Sequence, residues 1–215
     1  MAINRYPVDV VDIVSKVMRG CGMAWFTGKH NLNLVGIRGD SKAAGAFDDR
    51  FLACCDGDDG PIVWFFRGTT DPGKHWLLEP MRTAGCAVLQ PGQYRGMYEC
   101  GLHKGRPALV QVKPARIRRD ADKDLVIDPE GAFETGLFMI NFHDPGREGD
   151  RAVVDWASAG CQVPIHVRYV TMVRGMLWAQ ECAGLGRSAS YSLLQVVDHA
   201  ELLPLFSFDP EPLNV

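Results

Sequence analysis

The chain predicts a mainly β fold with a few helices (α+β), built as one domain. Three observations carry this. Short apolar runs of strand length recur along most of the sequence, with Gly, Pro and Asp clusters between them. Only two stretches, near the N-terminus and after Cys161, space their apolar residues at helical intervals. No linker, internal repeat or low-complexity segment divides the 215 residues, and 47% hydrophobic content suffices for one good core.

In chain order, Val8, Val11, Ile13, Val14 and Val17 predict a short helix, stopped by Gly20 and Gly22. The helical segment covers about residues 8–20 and the core about residues 30–200. "NLNLVGIRG" alternates Leu32 and Leu34 before Ile37 and reads as a strand ending at Gly39. "RFLACC-DGDDG-PIVWFFRG" reads as a β-hairpin with a five-residue turn. "CAVLQPGQYRGMYECGLHKGRPALVQVK" holds two or three further strands, two of them joined by a turn at "HKGRP". "KPARIRRDADK" is expected as a solvated loop or strand edge, because aspartates offset its basic residues. "GLFMINFH" is expected as a strand ending on His143. A helix follows Cys161 and ends at Gly184 and Gly186, "SYSLLQVVDH" is a last strand, and the Pro-rich tail lies along the surface.

The bulk numbers exclude several classes. Charged residues make up 23% and the net charge is -3, so nucleic acid is not an expected partner. No apolar run reaches the ~18 residues of a membrane span. Asp9, Asp12 and Lys16 interrupt the apolar residues near the N-terminus, which lacks the shape of a signal peptide, so synthesis and folding in the cytoplasm are expected. Seven cysteines, an odd number without a CxxC pair, argue against a cysteine zinc site and a disulfide framework. No metal and no cofactor are expected, and the oligomeric state is open.

One stretch suggests chemistry. In "VVDWASAGCQV" an apolar run ends in a small-residue turn, Ser158-Ala159-Gly160, directly before Cys161. A nucleophilic thiol needs a base, commonly histidine, and donors for the oxyanion it creates. Gly160 clears space beside the thiol, Ser158 can fix the turn, and His143 lies eighteen residues upstream in "INFHDPG". Asp144, Asp155 or a backbone carbonyl could orient that histidine.

His143 followed by Ser158-Ala159-Gly160-Cys161 resembles the catalytic signature of the L,D-transpeptidases (the YkuD-like fold), in which histidine precedes Ser/Thr-x-Gly-Cys. "FFRGTTDPGKHW" and "GLFMINFH" are similar to that family's segments upstream of its histidine, so the resemblance covers roughly residues 60–165. It departs at Ala159, Val163 and Asp144, where the family usually has His, Arg and Gly. The resemblance implies a mainly β, sandwich- or barrel-like catalytic domain. It implies Cys161 as acyl-enzyme nucleophile and His143 as base, with Ser158 and Gly160 shaping the site. The substrate implied is a peptidoglycan stem peptide, cleaved or cross-linked at the bacterial wall after release or delivery of the protein, as a phage lysin would be.

Arg38, Arg67 and Arg95 flank strands near Gly or Pro and are candidates to pair with substrate carboxylates. His103 is expected in an exposed hairpin turn, or else as a wall of the cleft. Trp64 and Trp76 are expected in the core. Two rival readings stay open. One is a papain-like wall amidase, with Cys161 ahead of a helix and His166 or His199 behind it. The other is a non-enzymatic β-rich virion or interaction protein in which Cys161 is structural.

Overall fold

A computed structural model of the chain describes residues 8–146 and 153–210. Helix α1 (Val10–Gly20) starts where the Asp9 side chain accepts the Asp12 N–H at 2.9 Å, which places it two residues later than the sequence suggests. Its buried face is Val10, Val14, Val17 and Met18, at the i, i+4, i+7, i+8 spacing of an amphipathic helix.

Strands β1 (Asn33–Arg38), β2 (Asp49–Gly57) and β3 (Gly60–Thr69) follow, then a short helix α2 (Lys74–Leu78). Next come β4 (Cys86–Leu89), β5 (Gly92–His103), β6 (Arg106–Gln111), β7 (Ala115–Asp120), β8 (Glu130–Gly136) and β9 (Phe142–His143). The last regular elements are β10 (Val163–Pro164), α3 (Val167–Cys182) and β11 (Ser188–Gln195), followed by 3-10 turns at Val196–Asp198 and Ala200–Phe206.

Eight strands form one sheet in the order β10-β3-β2-β1-β11-β5-β6-β9. Only β1 and β11 run parallel within it. Its two ends approach each other, since Phe142 of β9 bridges Gln162, which directly precedes β10. The sheet is therefore a nearly closed barrel. A second sheet, β4-β7-β8, lies beside it.

Alternation divides the apolar residues between two cores. Leu34, Phe51, Ala53 and Phe66 face inward with Phe142 and Tyr191, and α3 adds Tyr169, Val170, Val173 and Leu177 to that core. The intervening Val35, Ile37, Leu52, Cys54 and Phe65 face outward against α1. Strands covered on both faces read as continuous apolar runs, which explains "RFLACC". Each such side chain contributes about 1.5–3 kcal/mol by leaving water.

Several expectations change. The first hairpin reverses over Asp58 and Asp59 alone, with Gly57 paired to Gly60, so the strands consume most of the expected five-residue turn. "KPARIRRDADK" contains β7, the middle strand of the small sheet, with Ala115 and Ile117 buried. The tail does not lie passively on the surface, because Leu202 and Leu205 are fully buried in the outer core. "GLFMINFH" is a strand only at Phe142–His143. Before that, the Gln111 carboxamide accepts the N–H groups of Phe138 and Ile140, both at 3.0 Å, and donates to the Gly136 carbonyl at 3.1 Å. One side chain thus takes the place of a neighbouring strand. Trp64 and Trp76 are only partly buried, Trp64 packing against the inner core and Trp76 against a small cluster around Leu77 and Val88. Among the described residues, no helix is long and apolar enough to cross a membrane.

Candidate functional site

The site lies on the seam that closes the barrel. The His143 N–H donates to the Gln162 carbonyl at 3.2 Å, and the Gln162 N–H to the Asn141 carbonyl at 2.9 Å. In such a parallel bridge, the residues flanking Phe142 and Gln162 share the opposite face. Cys161 and His143 therefore project to the same side, while Phe142 joins the inner core and Gln162 accepts the buried Tyr191 hydroxyl at 2.6 Å.

The turn before the cysteine is tightly framed. The fully buried Ser158 hydroxyl donates to the Cys161 carbonyl at 2.9 Å and accepts the Gly160 N–H at 3.2 Å. Gly160 has φ 111°, and a side chain there would run into the Ala87 carbonyl of β4. The Ser158 carbonyl accepts the Gly73 N–H at 2.7 Å, which fixes the turn against the start of α2.

His143 is buried, 6% exposed, and its ring is oriented by backbone. The Asp144 carbonyl, 2.7 Å from Nδ1, can only accept, so Nδ1 carries the proton and Nε2 keeps its lone pair. Among the described residues, Nε2 is buried without a hydrogen-bond partner. Burial, with the neighbouring His103 ring second, pushes the imidazole down to about 4. Cys161 is buried, 8% exposed as a residue, and its thiol donates to the Met139 carbonyl at 3.4 Å. Burial pushes it up to about 11. Thiol and imidazole are therefore both neutral at pH 7, and among the described residues no hydrogen bond joins them.

His103 belongs to this cluster rather than to an exposed turn. The turn proper is Lys104-Gly105, both at positive φ, so His103 is the last residue of β5. Its ring stacks on His143, with centroids 4.0 Å apart and planes at 9°. The Asn141 amide nitrogen lies 3.0 Å from His103 Nδ1. The Asn141 oxygen accepts the Gln111 N–H at 2.9 Å, which fixes the amide and makes His103 Nδ1 the acceptor.

Two residues escaped the sequence reading. Arg106 grips the Asp144 carboxylate through Nε, 3.1 Å from each oxygen, and Nη2 at 2.7 Å. This holds the residue whose carbonyl orients His143. Asn141 holds His103 as just described. The "HKGR" turn carried the only readable signal, since a two-residue reversal makes His103 and Arg106 partners across the hairpin.

The other candidates have other partners. Arg38 pairs with Asp71 at 2.8 Å, and donates to the Leu89 carbonyl at 3.0 Å and the Thr70 carbonyl at 3.1 Å. Burial pushes the Asp71 carboxyl up, although Arg38 opposes it. Arg67 pairs with Asp209 at 3.0 Å, and Arg95 lies over the Phe26 ring. These three arginines form no hydrogen bond or ion pair with the Cys161–His143 cluster. His166 caps α3, its Nδ1 accepting the Arg168 N–H at 3.1 Å. His199 lies 3.3 Å from Cys21 on the outside, where burial and the charges of Asp198 and Glu201 disfavour a thiolate. Among the described residues, neither His166 nor His199 is hydrogen-bonded to Cys161.

Ser158, Gly160, Cys161, His143 and His103 thus lie along one largely buried seam. Set against protein-family models, curated proteins and solved structures, the chain matches none of them.

Proposed function

We propose that the chain is a cysteine-dependent acyl-transfer enzyme acting on peptidoglycan stem peptides at the bacterial wall, as a peptidase or an L,D-transpeptidase. The observation that carries this reading is His143 Nε2. A buried nitrogen without a partner costs free energy, and structures tolerate such an atom most readily where it has work to do. Here it is the basic nitrogen of a ring held in one tautomer, on the same face as a framed cysteine.

In the proposed reaction, Nε2 takes the Cys161 proton as sulfur attacks a peptide carbonyl. The tetrahedral intermediate collapses, and the imidazolium gives its proton to the departing amine. The Cys161 thioester is then resolved by water or by a second amine, with His143 again accepting a proton. Burial holds both groups neutral before attack, so the thiol needs His143 to remove its proton.

The test is incubation of the protein and its Cys161→Ala variant with purified peptidoglycan, followed by mass spectrometry of the muropeptides. New fragments or new cross-links that the variant fails to make are expected. Products made equally by the variant, or no products from walls of several chemotypes, overturn the reading. The thiol's burial favours a second reading, in which Cys161 is a structural residue of the closing seam. A silent wall assay would leave that one standing.

A further inference from the structure

A single peptide unit between β8 and β9 belongs to no strand, yet it is bonded at both of its polar ends. The Met139 carbonyl accepts the Cys161 thiol at 3.4 Å. The N–H of that same peptide, carried by Ile140, donates to the Gln111 carboxamide oxygen at 3.0 Å. The Met139–Ile140 unit is thus held between the cysteine of the seam and one side chain of β6.

Gln111 fixes the whole segment around it. Its oxygen also accepts the Phe138 N–H at 3.0 Å, and its nitrogen donates to the carbonyls of Lys113 at 2.9 Å and Gly136 at 3.1 Å. Its own N–H donates to the Asn141 side-chain oxygen at 2.9 Å. Residues 137–140 therefore span a short gap between two anchored points, Gly136 and Asn141. Phe138 and Ile140 pack toward the inner core.

Met139 is the odd residue in that gap. Its φ is 59°, a left-handed conformation that an unbranched side chain seldom adopts outside tight turns. Its own packing does little to offset the strain, because Met139 is 72% exposed. Strain of this kind persists where the surroundings enforce it, and it concentrates at functional sites and switches. Here the enforcing contacts are the Gln111 carboxamide and the Cys161 thiol.

The contact opposes the acyl transfer proposed above, on which this inference rests. The thiol proton is directed at a carbonyl, which accepts a hydrogen bond but is no base for a thiol. His143 Nε2, on the same face of the seam, has no partner among the described residues. Burial pushes the Cys161 thiol up, and the Asn141 backbone N–H opposes it. That N–H belongs to the next peptide, so the Met139 carbonyl can turn away without removing it.

We propose that the Met139–Ile140 peptide is a self-inhibiting gate on Cys161, latched by Gln111. Rotation of this one unit withdraws the carbonyl from the thiol and the N–H from Gln111 together. The thiol proton then passes to His143 Nε2. The S–H bond breaks, an N–H bond forms, and the sulfur keeps the electron pair with which it attacks.

The experiment follows alkylation of Cys161 and of buried Cys54 by iodoacetamide in the full chain, by peptide mapping, at urea concentrations below the unfolding transition. A local gate exposes little surface, so Cys161 should react faster than Cys54 and with almost no dependence on urea, while Cys54 tracks global unfolding. Gln111→Ala should raise the Cys161 rate at least about tenfold relative to Cys54, a ratio that corrects for any loss of overall stability. Cys161 reacting only in step with Cys54 overturns the gate. So does an unchanged ratio in Gln111→Ala. Labelling uses no wall substrate, so its outcome is separate from that of the muropeptide assay: a silent wall with a raised ratio would sink the acyl-transfer reading alone.

Discussion

Two junctions of the same sheet are built in opposite ways. The β2–β3 hairpin joins over nine residue pairs, from Asp49↔Gly68 to Gly57↔Gly60. The seam between β9 and the start of β10 closes through one bridge, Phe142↔Gln162. The hairpin fills both of its faces with apolar side chains. The seam holds a serine, a cysteine, two histidines and an unpartnered ring nitrogen. The contrast teaches where each task can reside. Regular pairing supplies stability, and a junction with few obligatory hydrogen bonds is free to hold polar groups in chemically useful positions. Phe51 ties the two together. Its ring stands edge-on to Phe142 with centroids 5.4 Å apart, and it stacks on Phe66 at 5.7 Å.

If the hairpin bears the load, Phe51→Ala should produce the largest loss. It should lower the free energy of unfolding by about 3–5 kcal/mol, read from the urea midpoint at unchanged slope. A loss under about 1 kcal/mol would mean that stability resides elsewhere and would break the comparison.

A smaller effect should appear with pH. His143 in the folded chain holds its proton only below about 4, against about 6.5 when unfolded. Between those values the unfolded chain binds more protons, so acid favours it. This contribution is complete above about 6.5 and is lost as pH falls toward 4, on the order of 2–3 kcal/mol. Buried Asp71 and Asp120, raised rather than lowered, pull the other way over part of this range. The measurement is therefore the difference between parent and His143→Gln, followed by denaturant titration from pH 4 to 7. The gap should widen with pH in that window, and a constant gap would show that the ring titrates normally.

The smallest effect sharpens the seam itself. Ser158→Ala removes a donor to the Cys161 carbonyl and an acceptor for the Gly160 N–H, for about 1–2 kcal/mol. It should also raise alkylation of Cys161 relative to buried Cys54, measured by peptide mapping because Cys21, Cys100 and Cys182 are exposed. Labelling unchanged in the variant would mean that Ser158 does not set the thiol's accessibility.

The same contrast decides what could be read from the sequence. Local signals announced the hairpin: two apolar runs, β-branched and aromatic residues, and Asp/Gly between them. The Ser-x-Gly frame and its histidine were legible for a similar reason, because each lies on a short stretch with its own turn chemistry. What was hidden depends on distant partners. Nothing near Phe138 or Ile140 says that Gln111 will occupy their N–H groups, so the segment looked like a longer strand than it is. The place of His103 follows from β6 pairing with β9, a register that brings Ala108 opposite His143. Arg38 near Gly39 looked like a free cation because its partner Asp71 is remote in sequence. Leu202 and Leu205 seemed to belong to a surface tail because their packing partners lie on α1 and β1.

The single parallel pair bears on how such a chain is made. β11 lies between β1 and β5 in the middle of the large sheet, yet it is the last of the described strands in chain order. Until it arrives, β1 and β5 each present an edge with unpaired backbone groups, and the inner core lacks Tyr191 and Leu193. In the interval between β5 and β11 both edges stand open, a state that invites pairing with other chains and slows completion of the fold. The large sheet cannot be completed by growth outward from the hairpin alone, because its middle needs β11 between two strands made earlier.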